Sequence, residues 1–380
     1  MQLTKLAVAV GVLTYLNCAE AATVFNKNDS VLDIYGKTEV VFMNSAATRS
    51  GTAHSTLGGV KAPEDNSLSS IVRLGMAGST KISDKVYAIG HFEWETPVGD
   101  GAEEQQLRGR YQYVGINAQS YGTLTAGRGN DAYTAVAGVT DIFNYLDNKT
   151  CDHWIFGDTR SGLIMYSLSS LGWDFRLSAQ LAADDTADIF NIDSGLAFSF
   201  STRLQNGIGF AYGASYTDFS YEQDNSKQQS FFGEMYMKVN GVKGDAASYG
   251  LYHHPSYKVN KGVALTYGTL GDGLYLAALF NVTRYKGLPH HLYDYEAVVS
   301  YSFSSGIDLK ASWACEKYKS EDVLEDLTLG ATYSPTPSFK LYAEAQLDLS
   351  SDPHRLYPEY YIAEKALGKN RFVIGATYYF

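Results

Sequence analysis

Period-two alternation in segments of about ten residues, repeated from Leu32 to the C-terminus, limits what this chain can fold into more than any other feature. Trp173, Phe175, Leu177, Ala179 and Leu181 share one parity, while Asp174, Arg176, Ser178 and Gln180 share the other. Phe339, Leu341, Ala343, Ala345 and Leu347 oppose Lys340, Tyr342, Glu344, Gln346 and Asp348 in the same way. Near the N-terminus Leu32, Ile34 and Val40 alternate with Asp33, Tyr35, Lys37 and Glu39. Val72, Leu74 and Met76 then oppose Arg73, and Phe92 and Trp94 oppose His91, Glu93 and Glu95. Successive strand side chains point to opposite faces, so each segment reads as a β-strand with one apolar and one charged face. A soluble antiparallel sandwich shares this period. The apolar faces here hold little else, however, and the polar faces are densely charged. A wall between lipid and water explains both, and the even succession of hairpins along one chain points the same way. The fold class is read as all-β, a transmembrane antiparallel β-barrel.

Bulk properties narrow the partners. The 380 residues carry a net charge of -11 with a pI of about 5.2, which argues against nucleic acid. Thirty tyrosines suit strands and membrane interfaces. Beyond the first residues, no apolar run approaches the ~20 that a spanning helix needs. Met1 to Ala21 is different. Lys5, the apolar run Leu6 to Leu16 and Ala19-Glu20-Ala21 form a secretion signal. The expected division is therefore a cleaved leader over residues 1–21 and a barrel over 22–380. Cleavage removes Cys18 and leaves Cys151 and Cys315, whose pairing stays open. No metal-ligand spacing occurs, and no cofactor is expected. The pairs His253-His254 and His290-His291 point to opposite strand faces and read as loop histidines.

Turn signals alternate in length, as short turns at one end of a barrel and long loops at the other require. Short ones fall at Asn117–Gly122, Ser169–Gly172, Gln205-Asn206-Gly207, Gly271-Asp272-Gly273, Ser304–Gly306 and Pro335–Ser338. Long ones fall at Ser45–Ser69, Gly99–Gln106, Ala183–Ile192 and Ser350–Lys369. The strand count is sixteen if Asp224–Lys258 forms one long loop, and eighteen if it holds a hairpin at Asn240-Gly241. The final strand places Phe372, Ile374, Ala376, Tyr378 and Phe380 on one face and must pair with the first strand to close the barrel.

The stretch from Arg108 to Arg160 departs from this rhythm. By parity, Arg108, Arg110 and Gln112 should share the water face and Tyr111 and Tyr113 the lipid face. The segment 129–159 that follows is about 30 residues without periodicity, long for a compact fold and hence a candidate functional loop. It carries Asp131, Asp141, Asp147, Asp152 and Asp158 with few bases, which reads as a pore constriction opposite an arginine row.

Several runs in order resemble the general trimeric porins of Gram-negative outer membranes. They are V-F-N-K-N with L-D-I-Y-G-K ending at Lys37, V-R-L-G-M-A-G around Arg73 and G-R-Y-Q-Y-V-G-I around Arg110. T-A-G-R at Arg128, V-T-D at Asp141 and the closing G-A-T-Y-Y-F through Phe380 complete the set. The resemblance covers nearly the whole chain after the leader and favours sixteen strands. It implies a third outer loop folded into the lumen, with acidic groups facing a basic ladder on the wall. By motif position the ladder falls on Lys37, Arg73, Arg110 and Arg160, with Arg108 beside it. Asp141 matches the family's loop aspartate. The usual P-E-F-G-G is replaced by Asn144-Tyr145-Leu146-Asp147-Asn148, which leaves Asp147 as the substitute for the family's loop glutamate.

The resemblance implies passive diffusion of small hydrophilic solutes and ions, with weak charge selectivity. It also implies a homotrimer in contact with outer-membrane lipid and lipopolysaccharide. A channel specific for sugar or phosphate is the alternative, because Tyr35, Tyr275 and Tyr342 lie on inward parities. An enzyme is not expected: no G-x-S-x-G occurs, and no histidine is placed by sequence near a plausible serine.

Overall fold

The computed structural model describes residues 21–44, 67–98, 107–146, 159–182, 192–219, 234–235, 237–239, 257–286, 288–319, 321–350, 353, 356–357 and 369–380. Residues 1–20 of the expected leader over 1–21, Asp147, Cys151, Asp152, Asp158, His253-His254 and the acidic stretches at Glu103-Glu104 and Glu222–Asp224 lie outside the described residues.

The described residues form seventeen strands joined in one antiparallel sheet. They are β1 (Ala22–Lys27), β2 (Ser30–Met43), β3 (Ser67–Ser83), β4 (Val86–Val98), β5 (Arg108–Asn117), β6 (Thr123–Gly129), β7 (Arg160–Ser170), β8 (Trp173–Gln180) and β9 (Ile192–Arg203). The series continues with β10 (Ile208–Phe219), β11 (Tyr257–Thr269), β12 (Asp272–Tyr285), β13 (Leu292–Ser302) and β14 (Ile307–Tyr318). It ends with β15 (Glu321–Thr336), β16 (Phe339–Asp348) and β17 (Arg371–Tyr379). Each strand from β2 onward pairs with the next, and β17 returns to β2 from Val373↔Met43 to Tyr379↔Lys37. The result is a closed barrel of sixteen described strands, in which β10 pairs directly with β11, as the sixteen-strand reading requires.

The additional strand, β1, was not anticipated. It folds back on β2 through Asn28 and Asp29, whose φ values of 54° and 56° suit a two-residue hairpin turn. β2 therefore shares one edge between two partners. β17 covers it from Met43 to Lys37, and β1 takes it from Ile34 to Ser30. Between them the Phe380 carbonyl accepts from Gly36 N–H at 2.9 Å, and Phe380 N–H donates back to Gly36 at 3.1 Å.

Short turns gather at one end of the barrel. Leu171-Gly172 is an example, both at positive φ, with Leu171 almost fully exposed. The opposite end carries the long connections, apart from β14–β15, which needs only residues 319 and 320.

The distribution of side chains is inverted relative to a soluble protein. Val114 is 68% exposed, Leu265 56% and Ile374 49%, all on the outer face. Such continuous apolar surface belongs against hydrocarbon. On the inner face Asn260, Asn281, Thr283, Asp294 and Glu316 are fully buried. Asn260, Thr283, Asn281 and Asp294 are hydrogen-bonded in a chain, with Thr283 Oγ1 donating to Asn260 Oδ1 at 2.8 Å, while Glu316 accepts from the Tyr357 hydroxyl at 2.8 Å. At the long-loop end a separate apolar cluster joins Phe219, Met235, Tyr285, Leu292, Tyr318 and Leu356.

Candidate functional site

The segment after β6 turns inward and follows the inner wall. Asp131 starts it: its Oδ1 accepts from Thr134 N–H at 3.0 Å, and its Oδ2 pairs with Arg160 Nη1 at 2.9 Å. A single helical turn, α1 (Thr134–Ala137), then packs on Ala197, Ala211 and Ala264. Small inward residues make the room. A Cβ on Gly213 would stand 3.0 Å from Val136, and one on Gly262 would collide with the Tyr133 hydroxyl at 2.2 Å.

Beyond α1 the segment is fixed strand by strand. Tyr275 of β12 donates to the Val139 carbonyl at 2.8 Å, Thr140 donates to Glu296 of β13, and Lys310 of β14 donates to the Ile142 carbonyl at 2.6 Å. On β16 one carboxylate gathers three consecutive backbone donors. Glu344 accepts from the N–H groups of Asn144, Tyr145 and Leu146 at 2.6, 3.0 and 2.8 Å. Tyr145 and Leu146 then close on Val41, Met43, Ile71 and Val373. The described part of the loop thus follows the wall from β8 past β16 to the long-loop ends of β17, β2 and β3, and a cavity of about 720 Å³ is bordered mainly by β2 to β8.

That open wall carries the ladder. Lys37, Arg73, Glu95 and Arg108 are lateral partners on β2, β3, β4 and β5 and form one row across the lumen face. The cations do not stand alone. Lys37 pairs with Glu39 at 2.6 Å, Arg73 with Glu95, and Arg110 with Glu93 at 2.8 Å. Glu39, Glu93 and Glu95 are buried carboxylates that sequence reasoning placed on the polar faces without assigning them as partners. Two charges removed from water need such neighbours, because an unpaired one there is costly. Arg160 sits at the root of the loop, held by Asp131 and only 3% exposed. Asp141 is exposed on the loop within electrostatic reach of Lys310, which is not a ladder residue. Lys37, Arg73, Arg108 and Arg110 are therefore brought together, while Arg160 and Asp141 lie apart from them.

The expected facing of β5 needs correction. Tyr111 and Tyr113 line the cavity and Gln112 points outward with Val114 and Ile116. The reason is a bulge. Tyr111 is opposite Glu93, but Gly109, not Arg110, is opposite Trp94, so one extra residue stands in β5. The parity before Arg110 is thereby reversed after it, and Arg108, Arg110, Tyr111 and Tyr113 all serve the inner wall.

Tyrosines extend this wall over glycines. The Tyr35 ring lies where a Cβ on Gly75 would be, 2.1 Å away, and its hydroxyl donates to Glu93 at 3.0 Å. Tyr342 lies over Gly375 in the same manner and donates to Glu39 at 2.7 Å. Among the described residues no group of three or more His, Cys, Asp and Glu side chains could hold a metal ion. Cys315 is a buried free thiol.

Comparisons with known proteins agree with this architecture. A family model described as Gram-negative porin matches residues 7–353. Outer membrane protein S2 of Salmonella typhi is 24% identical over 408 residues, covering 94% of this chain and 96% of that protein. Salmonella typhi OmpF, solved in complex with daunomycin, superposes with a TM-score of 0.70 at 18% identity, covering 94% of this chain and 99% of that one. OmpT, an outer membrane protein of Vibrio cholerae solved in a trimer form, gives a TM-score of 0.59 at 15% identity, covering 92% and 99%.

Proposed function

Because the chain belongs to the Gram-negative porin family, and is therefore a multi-pass diffusion pore of the outer membrane rather than an enzyme, we propose that its solutes cross beside β2 to β8, where a cavity borders the described part of the loop. Lys37, Arg73, Arg108, Arg110, Arg160, Asp141 and Asp147 are the charged groups of the constriction in this reading. What supports this reading is the cavity bordered by β2 to β8 and the course of the described part of the loop, tied to β12, β13, β14 and β16 and reaching β2 and β3 at Val41, Met43 and Ile71, on the long-loop side of the row that contains Lys37 and Arg73.

Fixed charges of both signs on the open wall order water and favour small polar solutes over apolar ones. Glu39, Glu93 and Glu95 offset most of the positive charge of Lys37, Arg73, Arg108 and Arg110, so the wall itself selects weakly. The net charge of -11 then tips the pore toward cations. Leader removal leaves this balance unchanged, since Lys5 and Glu20 depart together. By analogy with the trimer form of its Vibrio neighbour, the chain assembles as a homotrimer, with lipid and lipopolysaccharide against its apolar girdle.

Reversal potentials in a salt gradient test the assignment. Neutralising Arg73 and Arg110 together frees Glu95 and Glu93 and should shift the potential toward cations, with a larger conductance. Neutralising Asp141 and Asp147 together should shift it toward anions. Unchanged potentials in both double variants would place the constriction elsewhere.

A further inference from the structure

We propose that Tyr111, Tyr113 and His91 form a stacking subsite for neutral saccharides on the lumen wall, a refinement that rests on the pore reading above. The three rings are contiguous. His91 and Tyr111 stack with centroids 5.4 Å apart, and His91 meets Tyr113 edge-on at 5.1 Å. Tyr35 continues the stack on the other side of His91 at 5.9 Å. All four rings border the cavity, directly on the short-turn side of the row formed by Lys37, Arg73, Glu95 and Arg108.

A wet lumen that only excludes by size gains nothing from such a surface, because apolar ring faces in water are unfavourable until something covers them. The β5 bulge turns two of these rings inward, so they face water rather than lipid. A pyranose presents an apolar C–H face and a rim of hydroxyls. The rings match the face. The adjoining ion pairs Arg110–Glu93 and Arg73–Glu95 match the rim, since each sets donors beside acceptors. Their mutual compensation favours a neutral polyol over an anion. The Tyr35 hydroxyl spends its single proton on Glu93, so its 2.6 Å bond to His91 takes the proton from Nε2. Nδ1 then keeps its lone pair, and it has no partner among the described residues. That nitrogen is buried, so a solute meets the ring faces and not this acceptor.

Single-channel recording of the reconstituted full protein tests this, with maltotriose and a polyethylene glycol of matched size as probes. Maltotriose should interrupt the current with residence times about tenfold longer than the glycol, the order expected from two aromatic contacts. The Tyr111→Leu/Tyr113→Leu double variant should erase that difference while still conducting potassium chloride. Should that variant fail to fold, His91→Gln and the wild-type comparison decide. Equal residence of sugar and glycol in the wild type would overturn the subsite, as would block by benzoate without block by maltotriose. A protein that conducts no salt at all would instead sink the pore reading, and the subsite with it.

Discussion

Arg110 stands on the lumen face with Arg108, and one extra residue in β5 there turns Tyr111 and Tyr113 toward water as well. Nothing in an apolar–polar string marks such a bulge: R-G-R-Y-Q-Y-V-G-I keeps its alternation on either side of the fault. The ladder cations were legible from their parity and motif positions. Their partners Glu39, Glu93 and Glu95 were not, because an ion pair depends on register, and register is fixed across strands rather than along one. Glycines opposite tyrosines carry a similar cross-strand message. A Cβ on Gly75 would meet the Tyr35 ring at 2.1 Å, so Gly75→Val must displace the ring and break its bond to Glu93. Overpacking of this kind costs about 1–3 kcal/mol. The temperature at which the folded band unfolds on gel electrophoresis should fall, and an unaltered transition would show that Tyr35 has room to move.

At the scale of elements, strands and loops differ in how much the sequence discloses. The repeated apolar face and turns such as Leu171-Gly172 brought the strand count to sixteen or eighteen, and only the family resemblance chose sixteen. β1 escaped because six residues before a tight Asn28-Asp29 turn show no alternation that sets them apart from the start of β2. The inward loop was legible as an aperiodic segment, but its route was not. That route is written in distant residues: alanines and glycines where α1 lies, then Lys310 and Glu344 where the backbone is held. Three N–H groups converging on one carboxylate form an anion nest, with about 1.5–3 kcal/mol at stake for each charged hydrogen bond. Glu344→Ala should therefore release residues 144–146 from β16. Single-channel traces should show increased open-state current noise at an unchanged strand content. A trace as quiet as the wild type would mean that the apolar contacts of Tyr145 and Leu146 suffice.

The whole molecule is an inverted protein, polar within and apolar without, closed so that no strand edge of the ring is left unpaired. Closure joins the two ends of the chain, since Phe380 bonds Gly36 and its ring covers that glycine. Sixteen strands leave a lumen wider than side chains alone can fill, which is why an inserted loop is needed to set its bore. Long connections gather at one mouth, where Phe219, Tyr285 and Leu356 pack together, and the proposed pathway lies beside β2 to β8. Planar-bilayer recording of the purified protein in potassium chloride tests this account most directly. It predicts stepwise insertions with ohmic current at low voltage, conductance that rises in proportion to salt concentration, and closures in three equal levels from a trimer. A protein that inserts as a folded barrel yet passes no current, or whose conductance saturates at low salt, would contradict a continuous aqueous path through this lumen.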